Sequence, residues 1–340
     1  MMRSESVLAQ PAIGTNRVPL SSTRCVFSGE IGILKDRLIH AFIPLVRAYI
    51  RYAPRAMAKR WFWVRCVDPY FAWHAHEYVA STLFGSKIAG DSRDIVQQYI
   101  YYFGVWEPNL TRWVLRNLAP GDVFIDVGAN VGYYSLLASQ RVGERGSVVA
   151  IEASPTTFQT LRHNLALNSA DNVRVVNVAV YHSKTVMKLF RGTEYEIGRA
   201  TIMDDECLKQ GFEIECEVNA EPLGAILQSE EMQNARLIKI DVEGAEWAAV
   251  QGILPILDST RSDLEIIMEV DPKYMRQPGN QPADLLTVMS DRGFYAYGLD
   301  ADYSALSYLS QPTDERPTRI RAGIECCVNI IFSRRNVEQL

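Results

Sequence analysis

No run of the chain approaches the ~20 uncharged apolar residues that a helix needs to cross a bilayer, so a spanning segment is not expected. Cysteine is sparse and scattered. Cys25, Cys66, Cys207, Cys216, Cys326 and Cys327 include no two pairs at metal-site spacing. A reduced, cytoplasmic chain is the expectation. The adjacent Cys326 and Cys327 are read inside an apolar strand, residues 325–331, where cysteine behaves as a small hydrophobe. Positive charge is not in excess either, and a formal net charge of −5 gives no general attraction for nucleic acid. The opening residues carry Glu5 and lack an apolar core, which argues against a secretory signal. Residues 1–30 are expected to form a disordered leader. Repeats and low-complexity tracts are absent from the sequence as well.

What is present is organised around residues 123–152. An apolar, β-prone run, Val123-Phe124-Ile125-Asp126-Val127, reads as a buried strand. The turn Gly128-Ala129-Asn130-Val131-Gly132 follows, with residue types that accept unusual backbone angles or close approach. A helix over 133–141 and a second strand over 147–151 lead to Glu152. Strand, glycine turn, helix and a distal acid make the nucleotide-binding half of an α/β sheet. Gly128 and Gly132 admit a ligand that a Cβ would push away, and Glu152 can accept hydrogen bonds from two ribose hydroxyls. Asp126 sits beneath the turn, where it holds the loop or reaches a ligand amine through water. The spacing Asp126-x-Gly128-x-Asn130-x-Gly132 is not G-x-G-x-x-G, and an acid before the turn suits a cationic ligand better than a pyrophosphate. That favours S-adenosylmethionine over a nicotinamide dinucleotide.

Further along, Leu237-Ile238-Lys239-Ile240-Asp241 reads as a central strand ending on an acid, and Val242-Glu243-Gly244-Ala245-Glu246 turns it into a helix. Ligands in open α/β sheets bind beyond the carboxyl ends of strands, so Asp241 is the candidate general base and Glu243 a second catalytic candidate. Glu246 has a blander role near a helix start. Ser154 and Pro155 should cap and begin a helix over 155–168. Residues 185–191 and 213–218 alternate as half-exposed antiparallel strands do, with a polar loop between them expected to carry specificity. His74 and His76, two apart, do not share a helix face, which argues against a metal site there, and no ligand cluster supports one elsewhere.

GDVFIDVGANVGYYSLLA, VVAIEASPTTFQTLRHNLALN and LIKIDVEGAEWAAVQGI, in that order and spacing, resemble the FkbM-type family of S-adenosylmethionine-dependent methyltransferases. One departure is Ala153, where the family usually has proline. The resemblance implies a doubly wound, Rossmann-like α/β domain over residues 81–335, with seven strands of which the last is antiparallel. It implies methyl transfer from S-adenosylmethionine to a hydroxyl of a small molecule or glycan. It also implies that Ala179, in Val178-Ala179-Val180, lines the adenine ring, and that Glu107, in the Gly104…Glu107 pattern, meets the methionine amine or a substrate. A solvated surface glutamate is the competing account of Glu107. A cofactor- or partner-binding protein without catalysis is the alternative function.

Residues 31–63 differ in character. Lys35, Arg37, Arg47, Arg51, Arg55, Lys59 and Arg60 stand against the single acid Asp36, and Leu34, Leu38, Phe42, Leu45, Tyr49 and Tyr52 recur near one helical face. Pro44 and Pro54 are expected to divide the segment into short helices. Residues 31–80 thus read as a basic amphipathic extension. Packing of that stripe on the core is the favoured account, and peripheral contact with an anionic inner membrane surface is its rival.

Overall fold

The computed structural model describes residues 29–54, 58–71, 74, 76–191, 200–201, 213–242, 244–273, 275, 280–300, 302–310, 315–321 and 323–340. Most of the expected leader lies outside them, although its last two residues already belong to a helix, and most of the expected specificity loop lies outside them too, as does Glu243.

The main sheet is built from β3 (Val123–Val127), β4 (Ser147–Ile151), β5 (Val173–Val176), β10 (Ala235–Ile240), β11 (Glu265–Val270), β12 (Tyr295–Leu299), β13 (Thr318–Arg319) and β14 (Val328–Ser333). Its order is β13-β12-β14-β11-β10-β3-β4-β5. Strands β5, β4, β3, β10 and β11 run parallel, and β14 inserts antiparallel between β11 and β12. This is the expected doubly wound α/β sheet with its antiparallel last strand, extended by β13 as a two-residue eighth strand at the edge. Cys326 and Cys327 are not inside β14. Pairing starts at Val328 because its partner Val270 is the last residue of β11.

Alternation along the strands makes two cores. Phe124, Val148, Ala150, Leu237, Ile267 and Ile331 face one layer, whereas Ile125, Val149, Ile238, Ile266 and Ile330 face the other. By the same period, Asp126 and Lys239 share a face with Phe124 and Leu237. They are register neighbours on β3 and β10.

That face is covered by α3 (Ile95–Phe103), α4 (Pro108–Asn117) and α5 (Tyr133–Val142). Asp94 caps α3 by accepting from the Gln97 amide at 3.0 Å. The helix α6 (Pro155–Leu167) begins as expected, with Ser154 Oγ accepting from the Thr157 amide at 3.2 Å. A smaller sheet holds β6 (Ala179–Val180), β7 (Thr185–Arg191), β8 (Ala200–Thr201) and β9 (Glu213–Glu221), with β7 and β9 antiparallel as expected.

The N-terminal part departs from expectation. The helix α1 spans Gly29–Tyr52 without a break at Pro44. A short helix α2 (Lys59–Phe62) and a π-helical stretch, Trp63–Phe71, follow it. Strand β1 (Glu77–Ser81) pairs with β2 (Lys87–Asp91), so residue 81, the expected start of the domain, lies within a hairpin. On α1 the buried side chains are Ile43, Val46 and Ile50, joined to the core with Ile100 and Tyr102 of α3. Phe42, Leu45 and Tyr52, from the stripe expected to pack, are exposed.

Candidate functional site

The first α/β unit forms the floor of the site. Gly128 has φ +80°, and a Cβ there would stand 1.8 Å from the carbonyl oxygen of Asp241. Glycine is therefore required by the neighbouring strand end, in addition to any ligand. Gly132, at φ +91°, would meet Leu161 of α6 at 2.7 Å, so its role is close helix packing. Asn130 takes the left-handed conformation between them, at φ 50°, which asparagine tolerates.

Glu152 ties this turn down. Its Oε2 accepts from the Asn130 amide and its Oε1 from the Ser154 amide, each at 2.9 Å. Burial raises its carboxyl to about 7, opposed by those two amides. Three more of the turn amides are also engaged. Gly128 and Ala129 donate to the Ile151 carbonyl and Gly132 donates to that of Ala129. Ala179 is buried where the smaller sheet starts, and nearby Asn177 donates to the carbonyls of Glu152 and Ala153.

Charge gathers beside this floor on the helix-covered face. Lys239, 4 % exposed near the carboxyl end of β10, has its Nζ 2.7 Å from Asp241 Oδ2 and 5.0 Å from the centroid of the Tyr134 ring. Burial alone would lower this ammonium, but Asp241, Asp126 and Glu107 overcome it and hold the lysine above its ordinary range. Asp126 is buried, with Oδ2 accepting from Ser135 Oγ at 2.6 Å. Its Oδ1 has no hydrogen-bond partner among the described residues. Burial raises its carboxyl, and Lys239 opposes the shift.

Glu107 reaches the same cluster from the start of α4, and it is buried rather than solvated. Its carboxylate accepts from Tyr134 Oη at 2.9 Å and Asn329 Nδ2 at 2.7 Å. Tyr303 Oη stands between two acids, 3.0 Å from Glu107 Oε1 and 2.6 Å from Glu269 Oε1. Glu246 begins the helix Glu246–Ile253, and its Oε1 accepts from the Gly244 amide at 2.9 Å, the local role expected of it. Among the described residues, no three His, Cys, Asp or Glu side chains are grouped to hold a metal ion.

The candidates thus fall into two linked groups. Asp126, Gly128, Asn130, Gly132 and Glu152 are one unit, and Asp126, Glu107 and Asp241 meet around Lys239. Lys239 was not among the residues expected in the site, although a lysine in a buried strand needs acidic partners. Tyr303 and Asn329 carried no signal, because long connections bring them in.

Residues 126–295, half of the chain, match the methyltransferase FkbM domain. The chain belongs to the FkbM methyltransferase family. Its relatives include "Methyltransferase sdnD" of Sordaria araneosa, 23% identical over 206 residues, which cover 53% of this chain and 76% of that one. "Arsenite methyltransferase" of Halobacterium salinarum is 38% identical over 56 residues, covering 16% of this chain. That stretch spans only 14% of the arsenite enzyme's length. Among solved structures, a SAM-dependent O-methyltransferase from Thermotoga maritima is similar at a TM-score of 0.40 and 13% identity, covering 77% of this chain and 79% of that one. In this FkbM methyltransferase the matched segment runs from Asp126 to the first residue of β12, Tyr295, and so takes in Glu152, Lys239 and Asp241 but not Glu107 or Tyr303.

Proposed function

We propose that this methyltransferase uses S-adenosylmethionine and methylates a hydroxyl of a small molecule or glycan. The observation that carries the cofactor reading is Asp126 Oδ1, a buried acceptor without a partner among the described residues, next to a turn in which the amides of Gly128, Ala129, Asn130 and Gly132 are engaged. A pyrophosphate would need those amides as donors. A ligand with an amine, a positive charge and no phosphate suits the balance better. S-adenosylmethionine is such a ligand, and its sulfonium supplies an activated methyl group. Glu152 would receive the ribose hydroxyls on lone pairs left over from the turn, Asp126 or Glu107 the amine, and Ala179 the edge of the adenine.

What remains for the chain is alignment and removal of a proton. Lys239 fixes Asp241 through Oδ2, and the Asp241 side chain is 27% exposed, so a substrate can approach it. In this reading Oδ1 orients the acceptor hydroxyl and takes its proton as the oxygen attacks.

Calorimetric titration with S-adenosylmethionine and with NAD tests the cofactor. Binding of the first alone is expected, and binding of NAD alone would overturn the reading. A screen of alcohols and glycans with labelled methyl donor then supplies an acceptor for turnover. With it, Asp241→Asn should lower kcat roughly 10²–10⁴-fold while cofactor affinity changes little. Near-normal turnover would remove Asp241 as the base.

A further inference from the structure

Over its described side chains, from residue 40 onward, the helix α1 has two apolar faces, and one of them is buried against the core. Ile43, Val46 and Ile50 lie within about 60° of one another around the helix axis and are buried. Phe42, Leu45 and Tyr52 lie within about 80° of one another, roughly 120° round from the first group. They are 51%, 64% and 72% exposed. The patch continues into the next elements. The Phe62 ring of α2 meets Tyr49 of α1 at 4.9 Å, which sets Trp61 alongside the same end of α1, and Trp61 is 63% exposed. Val64 is exposed one turn later.

Charge around this patch has one sign. Between residues 31 and 67 there are eight lysines and arginines and one acid, Asp36, in a chain of net charge −5. Arg60 and Arg65 are exposed. Three of the cations turn inward instead: Arg47 Nε donates to the Tyr101 carbonyl at 2.8 Å, Lys59 Nζ donates to the Ile50 carbonyl at 2.7 Å, and Arg51 Nε and Nη1 are buried. No described helix is long and apolar enough to cross a membrane. Tryptophan, phenylalanine, tyrosine and leucine beside the exposed Arg60 and Arg65 are the composition of a segment that lies in the plane of a bilayer interface. A protein partner could use the same apolar atoms, but the excess of arginine specifies a surface that is negative throughout.

We infer that α1, α2 and the start of the π-helical stretch form a peripheral docking surface for an anionic phospholipid bilayer, with Phe42, Leu45, Tyr52 and Trp61 inserted and Arg60 and Arg65 at headgroup level.

Sedimentation of the purified full chain with vesicles tests this. Vesicles of phosphatidylcholine containing about 30% phosphatidylglycerol should bind it at low salt. Pure phosphatidylcholine should bind roughly tenfold less, and about 0.5 M NaCl should release it. The triple variant Phe42→Ser, Leu45→Ser, Trp61→Ser should lose binding about tenfold or more at an unchanged melting temperature. The double variant Arg60→Glu, Arg65→Glu, altering only exposed side chains, should lose it likewise and serves if the triple variant does not fold. Absence of binding to the anionic vesicles at low salt would overturn the proposal, as would full retention of binding by these variants. A dimer in light scattering that the patch substitutions dissociate would also overturn it, by assigning the face to a second copy of the chain.

Discussion

At the carboxyl edge of the main sheet, Lys239, Asp126 and Glu107 are ionisable groups shut away from water, whereas on α1 Phe42, Leu45 and Tyr52 are apolar groups left in it. Both regions depart from the usual sorting of side chains, and energetically they differ. The buried charges hold one another, so each depends on the presence of the rest. The exposed side chains of α1 contribute little to the folded state. A region whose misplaced groups hold one another, with Asp126 Oδ1 alone left over, belongs to the architecture as well as to chemistry. One whose misplaced groups are unsatisfied points outward, to a partner.

The contrast breaks most readily at Lys239. Lys239→Met removes the ammonium 2.7 Å from Asp241 and leaves Asp126 and Glu107 without their cation. Truncating one side of a buried ion pair costs about 3–5 kcal/mol, and urea unfolding should show a loss of that size. A neutral result would mean that the acids hold protons of their own and that the lysine is dispensable.

Acidity sharpens it at an intermediate scale. Glu152 and Glu246 are each raised by burial from 4.5 to about 7. Their protonated forms are favoured by folding, so the stabilising contribution is complete below about pH 4.5 and is lost as pH rises to and through about 7. Burial raises Glu107 and Asp126 in the same direction. His76, lowered by burial, works oppositely below its ordinary 6.5. Unfolding free energy should therefore fall as pH rises from about 4.5 to about 7, with the histidine offsetting part of the fall below about 6.5. The loss is up to about 3 kcal/mol per glutamate, at about 1.4 kcal/mol for each pH unit crossed. Glu152→Gln should flatten that slope in chemical denaturation measured across the range. An unchanged slope would place the titration elsewhere.

How far the sequence foretold each region follows from what periodicity can encode. The buried strands, the glycine turn and the Ser154 cap were legible because each is decided by neighbours within a few residues. Asp126 and Lys239 could be placed on one face only once the parallel register of β3 and β10 was known. Glu107, Tyr303 and Asn329 converge from three distant parts of the chain, and no local pattern records that meeting. Gly128 was legible as a necessary glycine, but the obstacle to a Cβ is the backbone of Asp241, a contact made across the sheet. On α1 the spacing correctly grouped Phe42, Leu45 and Tyr52. Helical periodicity says which side chains lie together and not which of two apolar faces is covered. The choice fell to Ile43, Val46 and Ile50 because they meet α3.

The smallest expected effect tests that last point. Ile50 is 3% exposed and Leu45 is 64% exposed, and both are apolar residues of the same helix. Ile50→Val deletes one buried methylene and should destabilise by about 0.5–1.5 kcal/mol. Leu45→Ser removes a larger side chain and adds a hydroxyl, yet should alter unfolding free energy by less than about 0.5 kcal/mol, because its surroundings are solvent in both states. Helix propensity pulls slightly against serine, by a few tenths of a kcal/mol at most, within that bound. Thermal melts of both variants under one buffer check the pair. If Leu45→Ser proved the costlier change, the outer face of α1 would be packed in solution, and the contrast between the two regions would fail on the side of the helix.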